Sequence, residues 1–227
     1  MTPTITCLIP AHDEAPRISQ VLDAVIGHPL IARVLVVDDG SSDGTAELAR
    51  VAGAEVMSLA PNRGKSGAIA FGLAQVSTSH VLLLDADLRG LRHEDLTRLI
   101  APVLDGSVAV SLSLRRNAPR LWHWVGVDYI TGERVVPMAL VSTSLEEVAA
   151  LPRFGLEVFL NDRIRAAGLP VAIVRWPAVT SPSKSEKRGG RLAGFAADMA
   201  MIRDILRTVS PITVLGQIAF LSRARRS

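Results

Sequence analysis

The residues best suited to chemistry are two aspartates, Asp85 and Asp87, which follow the apolar run at residues 81–84. A short unbroken apolar run predicts a strand that is buried on both faces of a sheet. Because ligands of α/β proteins gather beyond the carboxyl ends of the strands, both carboxylates are expected where a ligand binds. If the segment is extended, the two side chains project to the same side and repel each other unless a cation lies between them.

The ions that suit such a pair are Mg²⁺ and Mn²⁺, which prefer oxygen ligands. Mg²⁺ is commonly held by one or two carboxylates together with substrate phosphates. The alternative is that one aspartate caps the following helix while the other is solvated, because the Asp-x-Asp pattern is common. By itself, the pattern leaves both interpretations open.

Polar residues also follow the first two apolar runs of the chain. Residues 10–14 (PAHDE) come after the first run, and Asp38 and Asp39 come after the second. A glycine-rich loop at residues 62–67 (NRGKSG) would bring Lys65 to the same edge. Capping explains any one of these groups, but their convergence indicates a nucleotide site. The carboxylates would bind the base and the ribose hydroxyls, and a metal and the lysine would bind the diphosphate. The glycine spacings of a P-loop and of a dinucleotide-binding fingerprint are both missing.

The elements that must position these residues alternate along the first half of the chain. Four apolar runs predict strands, at residues 4–9, 34–37, 54–59 and 81–84. Helical spacing of apolar residues follows the first run, and turn formers or glycines open a helix after the second and the third. Connections of this length predict right-handed crossovers, and therefore an α/β fold with a parallel sheet covered by helices.

The composition limits the classes of function. The chain has 227 residues, of which 48% are hydrophobic and 4% aromatic. This predicts a globular protein with a sizeable core and too few rings for a nucleic-acid stacking platform. The single cysteine, Cys7, excludes a disulfide framework and favours a reducing, cytoplasmic compartment. Neither a signal peptide nor a run of about 20 apolar residues is recognisable, so we expect no membrane span.

Charge is unevenly divided, although the net charge is only +3. Acidic residues outnumber basic ones in residues 1–110, and basic residues outnumber acidic ones in residues 111–227. The acidic half suits a cation site, and the basic half suits an anionic partner such as a phosphate, a lipid head group or a nucleic acid. A basic solvated surface without a partner is the alternative.

Four motifs, in this order, resemble those of family 2 glycosyltransferases, in particular the dolichyl-phosphate mannose synthase and glucosyl-3-phosphoglycerate synthase types. They are LIPAHDEAPRI, VLVVDDGSSDGTAELA, PNRGKSGAIAFGL and VLLLDADLRGL, and the resemblance is dense over residues 4–104. It continues more loosely in YITGERVV and FGLEVFLNDRIRAAGL. The resemblance implies an α/β fold of GT-A type: a Rossmann-like, mostly parallel sheet with helices on both faces and a C-terminal acceptor-side extension. Residues 1–110 would form the nucleotide-sugar-binding half and residues 111–227 the acceptor-side half of one continuous domain.

The resemblance assigns the nucleoside of a UDP- or GDP-sugar to the first two loops. Pro10, Ala11 and Glu14 would hold the nucleoside, and Asp39 would bind the base. His12 stands where the family often has an aromatic residue, arginine or asparagine, so stacking of the base would differ here.

The resemblance assigns the diphosphate and the metal to the later motifs. Gly64 and Lys65 would lie near the diphosphate or the sugar, and Asp85 would face the ribose. Asp87 would be the principal ligand of a divalent metal, Mg²⁺ or Mn²⁺, with Asp85 beside it. Many relatives add a C-terminal histidine, but this sequence has none beyond residue 123, so water, phosphate or Glu186 would complete the metal shell.

The acceptor side is expected around residues 128–134. An inverting enzyme needs a general base near the acceptor oxygen, and Asp128 and Glu133 are the candidates. Arg134 would hold an acceptor phosphate or carboxylate through paired hydrogen bonds. An acceptor that is already an anion, such as polyprenyl phosphate, has less need of a strong base. The alternative is that these three residues form a surface ion-pair set, and Tyr129 either packs or contacts substrate.

Basic residues cluster around two glycines further along the chain, namely Lys184, Lys187, Arg188 and Arg191. They predict a mobile loop that closes over phosphates. Residues 191–209 predict an amphipathic helix, which would lie on an anionic membrane surface or pack against the sheet or a second subunit. Peripheral membrane contact and a homodimer are therefore both expectations.

The sequence favours a metal-dependent glycosyltransferase that moves a hexose from a nucleoside-diphosphate sugar to an anionic acceptor. A sugar-phosphate nucleotidyltransferase is one alternative, but the glycine- and arginine-rich first loop of such enzymes is missing. A non-catalytic nucleotide-sugar-binding protein is the other, and the intact acidic motifs and Lys65 argue against it.

Overall fold

The computed structural model describes residues 4–152, 155–182 and 210–226, and eight strands lie within these ranges. They are Ile5–Ala11 (β1), Arg33–Asp38 (β2), Glu55–Ser58 (β3), His80–Leu83 (β4), Val110–Arg115 (β5), Arg134–Pro137 (β6), Val171–Trp176 (β7) and Arg225–Arg226 (β8). The four strands predicted in the first half of the chain are all present, with ends that differ by one to two residues.

Helices connect these strands within the same ranges. They are Ala15–Val25 (α1), Thr45–Val51 (α2), Gly64–Leu73 (α3), His93–Leu104 (α4), Arg120–Val125 (α5), Leu145–Ala149 (α6), Gly155–Ala166 (α7) and Pro211–Leu221 (α8), with a 3₁₀ turn at Met138–Leu140. None of them is long and apolar enough to cross a membrane.

The strands form one sheet in the order β3-β2-β1-β4-β6-β5-β7-β8. All neighbours are parallel except at β6, which runs antiparallel to both β4 and β5. The predicted α/β fold with a mostly parallel sheet is therefore confirmed. Strand β6 lies in the middle of the sheet, which helices cover on both faces. Three of its four residues are therefore buried.

Two hydrophobic cores cover the two faces of the sheet. Alternation along β1 sends Leu8 to one core, with α3, α7 and α8, and Cys7 and Ile9 to the other, with α1 and α4. Helices on both faces were predicted and are confirmed. Cys7 is fully buried, and burial raises the pKa of its thiol far above the usual range, which fits an inert core residue.

Strand β1 continues two residues beyond its predicted end and includes Pro10 and Ala11. Its ladder with β4 ends at the pair Leu8 and Leu83, whereas its ladder with β2 continues to Ala11 and Asp38. A proline is tolerated here because this residue lies past the last β4 pair, where no backbone donor is required. The first loop therefore starts at the edge of the sheet itself.

Candidate active site

A cavity of about 230 Å³ opens at the carboxyl ends of β1, β2 and β4. Its lining includes seven of the residues predicted for nucleotide and metal binding, namely Pro10, Ala11, Glu14, Asp39, Lys65, Asp85 and Asp87. His12, Ala68 and Ala86 complete it. Gly64, the remaining predicted binding residue, begins α3 one residue before Lys65 with a φ of 75°. The predicted convergence of the loops at one sheet edge is what the structure has.

The first two loops are joined by side-chain hydrogen bonds. Helix α1 has no cap of its own, and its first N–H, from Ala15, donates to Asp43 Oδ2 at 3.0 Å. The other oxygen of Asp43 accepts from Thr45 N at 3.0 Å, at the start of α2. Hydrogen bonding from the Thr45 hydroxyl lowers the pKa of Asp43, so its carboxylate is ionised where two helix N-termini meet.

The same junction holds Asp13 and Glu14. Asp13 has a φ of 52°, which is unusual for a residue other than glycine, and its Oδ1 accepts from Ser42 N at 2.8 Å. Its own N–H donates to Ser41 Oγ, and Glu14 N donates to Thr45 Oγ1 at 2.9 Å. The loop that presents Glu14 to the cavity is therefore positioned by the loop that presents Asp39.

Asp39 connects the second loop to the glycine-rich loop. It is 3% exposed, and its Oδ1 accepts from Arg63 N at 2.7 Å. Its backbone N–H donates to Ala11 O at 2.8 Å. Asp39 is thus held at the cavity wall by two other segments, which bind its carboxylate and its backbone N–H respectively.

Lys65 is the cation of the cavity wall. Its Nζ lies 2.6 Å from Asp85 Oδ1 and 3.7 Å from Glu157 Oε1. Burial alone would lower the pKa of Lys65, but these two carboxylates outweigh it and raise the pKa above the usual range. Burial would likewise raise the pKa of Asp85, and Lys65 more than reverses that effect. The pair is therefore fully ionised at neutral pH.

Sequence reasoning missed Glu157. It lies in the first turn of α7 and is 6% exposed. The segment that contains it was recognised as part of the family resemblance, but an acidic residue in the first turn of a helix is ordinarily explained by the helix dipole. Its proximity to Lys65 depends on how α7 packs, which local sequence does not reveal.

Asp87 has the opposite electrostatic surroundings. Burial, followed by the charges of Asp85 and Glu14, raises its pKa to about 6. The segment from Asp85 to Asp87 is a turn and not an extended strand, yet both side chains line the same cavity. Asp87 and Asp85 are hard oxygen donors of the kind that Mg²⁺ and Mn²⁺ prefer, and a cation would relieve the repulsion of Asp87 by Asp85 and Glu14.

The described residues contain no group of three or more His, Cys, Asp or Glu side chains arranged to hold a metal. The residues that could hold a divalent cation are Asp87 and Asp85, with further oxygens supplied by a bound ligand. Glu186, considered from the sequence as a further ligand, lies outside the described residues.

The structure corrects one interpretation of Asp128, Glu133 and Arg134. Their exposures are 2%, 0% and 0%, so they do not form a surface ion-pair set, whereas their contact with an acceptor stays a prediction. Arg134 donates to Thr131 O and to Asn161 Oδ1, both inside the protein. The physical reason is the position of β6, which begins at Arg134 in the middle of the sheet.

Arg115, at the end of β5, is the partner of both buried acids. Its guanidinium lies 3.3 Å from Asp128 and 3.4 Å from Glu133. It also donates to Ser181 Oγ at 2.8 Å. Burial would lower the pKa of Arg115, but the two acids raise it. One oxygen of each acid has no hydrogen-bond partner within the described part of the chain. Sequence reasoning did not identify Arg115 as the partner of these acids, because it lies on strand β5, 13 residues before Asp128.

Tyr129 proves to be a packing residue. It is fully buried, its ring lies 5.7 Å from that of Trp122, and its hydroxyl donates to Gln217 Oε1 of α8 at 2.7 Å. The predicted mobile loop with its basic residues, Lys184, Lys187, Arg188 and Arg191, and the amphipathic helix predicted at 191–209 lie outside the described residues.

A model of the family described as Glycosyl transferase family 2 matches residues 6–139. Among curated relatives, a 4,4'-diaponeurosporenoate glycosyltransferase of Staphylococcus aureus (strain bovine RF122 / ET3-1) is 34% identical over 102 residues, which is 43% of this chain and 27% of the relative. That of strain USA300 is 35% identical over 101 residues, with 42% and 27% covered. The match thus spans about a quarter of the length of these relatives.

Solved structures of similar shape include glucosyl-3-phosphoglycerate synthase from Mycobacterium tuberculosis in complex with Mn²⁺, UDP-glucose and phosphoglyceric acid. Its TM-score is 0.70 and its identity 24%, and the comparison covers 96% of this chain and 80% of that one. A second structure of the M. tuberculosis enzyme has a TM-score of 0.62 and 25% identity, with 76% and 70% covered. These similarities show that the fold is shared.

Proposed function

The chain belongs to glycosyl transferase family 2, and from this premise we propose that it moves a hexose from a UDP- or GDP-sugar to an anionic acceptor with the help of a divalent metal. The predicted fold of GT-A type is confirmed. The observation that carries the proposal is the single cavity that brings together Asp39, Lys65, Asp85 and Asp87. It combines an oxygen-donor set for a cation with a fixed positive charge, which is what binding a diphosphate requires.

The donor would lie across the cavity with its nucleoside on the first two loops. Asp39 presents one oxygen to Arg63 N, and we assign the base to the other oxygen. Pro10, Ala11 and Glu14 would contact the nucleoside, and Asp85 the ribose. The M. tuberculosis structure of similar fold contains UDP-glucose and Mn²⁺, which supports a nucleotide sugar and a metal here.

In the reaction, the bond between the anomeric carbon and the diphosphate breaks while a bond to an acceptor oxygen forms. Lys65 would stabilise the negative charge that develops on the leaving diphosphate, because its own charge is fixed by Asp85 and Glu157. A divalent cation held by Asp87 and Asp85 would supply further charge neutralisation there when it is bound. Asp87 would thus contribute a carboxylate whose repulsion by Asp85 and Glu14 favours binding of a cation.

The burial of Asp128 and Glu133 bears on the choice of acceptor. Because both carboxylates are buried, we propose an acceptor that does not rely on either of them as a base. An acceptor whose attacking oxygen is already ionised, such as a phosphate, needs no strong base. The excess of basic residues in residues 111–227 supports the same choice, and we assign acceptor binding to this half and donor binding to residues 1–110.

Membrane contact by the acceptor half is the finer part of this proposal. Ile212 and Leu215 of α8 are 82% and 66% exposed, and one helical turn separates them. Arg223, just after α8, is also exposed. An apolar stripe beside a positive charge suits the surface of an anionic membrane, where a lipid phosphate such as polyprenyl phosphate would be the acceptor. The homodimer stays a prediction.

The test is a donor screen that measures release of nucleoside diphosphate. UDP- and GDP-sugars are offered with phosphate-bearing acceptors, with Mn²⁺, with Mg²⁺, or after removal of metal by a chelator. We expect release that depends on metal and falls about 100-fold or more in Asp87→Asn. Asp23→Asn, an exposed aspartate of α1, is the matched control and should react as the wild type does.

Two outcomes would contradict the proposal. Equal rates in the wild type and Asp87→Asn would remove the assigned metal ligand. Release of pyrophosphate from a sugar phosphate and a nucleoside triphosphate would instead support the nucleotidyltransferase alternative.

A further inference from the structure

Gly132 lies directly beneath the carboxylate of Asp85. A Cβ atom built on this glycine would stand 2.8 Å from both carboxylate oxygens and 3.0 Å from their carbon. Separations below 3.0 Å essentially never occur for real Cβ atoms. Gly132 is not among the glycines with a positive φ, so its backbone conformation is open to any residue. This position requires a residue without a side chain, because the Asp85 carboxylate occupies the space that a Cβ atom would fill.

The backbone on one side of Gly132 is fastened by buried groups. Glu133 is fully buried, and its Oε2 accepts from the hydroxyls of Ser113 and Thr131 at 2.8 and 2.6 Å. The backbone carbonyl of Glu133 accepts from Ser113 N at 3.1 Å, and its carboxylate lies 3.4 Å from the guanidinium of Arg115. Moving residue 133 would break several buried interactions together, which is costly in a low-dielectric interior.

The other side of Gly132 is fastened as firmly. The carbonyl of Thr131 accepts from the guanidinium of Arg134, which also donates to Asn161 Oδ1 at 3.1 Å. Thr131 is itself fully buried. The turn from 131 to 134 is therefore a rigid surface, and it is not the part that would yield to an added methyl group.

The part that would yield is the carboxylate of Asp85, which is the end of a side chain on the cavity wall. Its Oδ1 forms the 2.6 Å ion pair with Lys65 Nζ. A shift of even 0.5–1 Å would lengthen or reorient this contact. The fold can tolerate a movement of this side chain, but the position of Lys65 depends on the Asp85 carboxylate staying where it is.

We propose that Gly132 is a positioning residue: its lack of a side chain seats the Asp85 carboxylate and thereby fixes Lys65 at the cavity wall. The consequence for catalysis rests on the proposed function. The contact between Gly132 and the Asp85 carboxylate can itself be tested without any substrate.

The first experiment is a thermal unfolding cycle with Gly132→Ala, Asp85→Ala and the double variant. In the presence of Asp85, the added methyl group should lower Tm by about 2–4 °C, as expected for a small local perturbation in a chain of this size. In the Asp85→Ala background the three atoms nearest to the added methyl group are gone, so the same substitution should lower Tm much less. An equal decrease in Tm in both backgrounds would show that Gly132 does not act through Asp85, and would overturn the proposal.

The second experiment measures kcat/KM for release of nucleoside diphosphate by the same four proteins. Gly132→Ala should lose about 10- to 100-fold, because a displacement of about 1 Å at a charged group can have that effect. Asp85→Ala should be slower than the wild type, and adding Gly132→Ala should change it no further. Gly216→Ala, on α8, is the matched control, since among the described residues a Cβ there meets only the guanidinium of Arg165, at 3.3 Å.

The two experiments separate the possible failures. If the wild type releases no diphosphate, the proposed function fails, but the unfolding cycle still shows whether Gly132 positions the Asp85 carboxylate. If the cycle shows coupling but Gly132→Ala reacts at the wild-type rate, the positioning role is overturned while the proposed function stands. A loss of activity that is equally large in both backgrounds would also overturn it.

Discussion

Lys65 Nζ donates to Asp85 Oδ1 at 2.6 Å, although the two residues stand 20 positions apart in the chain. One lies in the first turn of α3 and the other just past the end of β4. Glu157 approaches the same ammonium from α7. Three separate elements of the fold thus position the Lys65 ammonium, to which we assign the binding of the leaving diphosphate.

Replacement of Lys65 by methionine should remove that charge while keeping most of the packing. We expect kcat/KM for diphosphate release to fall about 100-fold, as for the loss of one preorganised donor. Lys65→Arg should recover part of the rate, because it restores the charge but not the geometry. A methionine variant as active as the wild type would exclude a role for Lys65 in the reaction.

The raised pKa of Asp87 predicts how stability depends on pH. Burial and the charges of Asp85 and Glu14 raise its pKa in the folded state from the usual 3.8 to about 6. Between these values the folded state binds more protons than the unfolded state, so stability falls as pH rises through this window. In metal-free buffer, Asp87→Asn should therefore be about 1–2 kcal/mol more stable than the wild type at pH 7, after allowance for solvent screening.

Urea unfolding of both proteins at pH 4 and pH 7 checks this prediction. The difference between them should shrink towards zero at pH 4, where the carboxyl of Asp87 is protonated. Asp23→Asn, an exposed substitution on α1, is the matched control. A variant that is less stable than the wild type at pH 7 would mean that Asp87 makes a favourable contact in the folded protein.

Replacement of Arg134 by methionine should destabilise the protein instead of weakening acceptor binding selectively. Arg134 is fully buried and donates to Thr131 O and Asn161 Oδ1, so its loss leaves buried acceptors without a donor. We expect the free energy of unfolding to fall by about 3 kcal/mol. Arg50→Met, which breaks an exposed pair with Glu47, should cost less than about 1 kcal/mol. Unchanged stability together with a raised KM for the acceptor would instead support direct contact between Arg134 and the acceptor.

Membrane contact through α8 can be tested with vesicles. Binding to vesicles that contain anionic lipid should fall several-fold when Ile212 and Leu215 are both changed to aspartate, because the change removes apolar area and adds negative charge. Val51→Asp is the control, since Val51 is 77% exposed on α2. Co-sedimentation measures both. Equal binding by the wild type and the double variant would exclude α8 as the contact.

Much of the candidate site could be predicted from local sequence. An unbroken apolar run followed by polar residues marks a buried strand and its carboxyl end, and four such runs with helices between them imply one parallel sheet. The loops that carry Glu14, Asp39 and Asp85 therefore had to meet at one edge. Asp43 shows the limit of such reasoning, because it accepts from Thr45 at the start of the helix that follows it and also from Ala15 of another helix.

The amino-acid sequence by itself determined the order of strands along the chain, the family, and which polar residues gather at the cavity. Only the tertiary structure decided that β6 enters the sheet between β4 and β5, and this buries Arg134 and Glu133. It also decided that Glu157 reaches Lys65 and that Gly132 lies beneath Asp85. The physical reason is that hydrophobic periodicity reports which side chains are buried within one segment. Contacts between segments depend on how strands are ordered and how helices pack, and no local pattern encodes either.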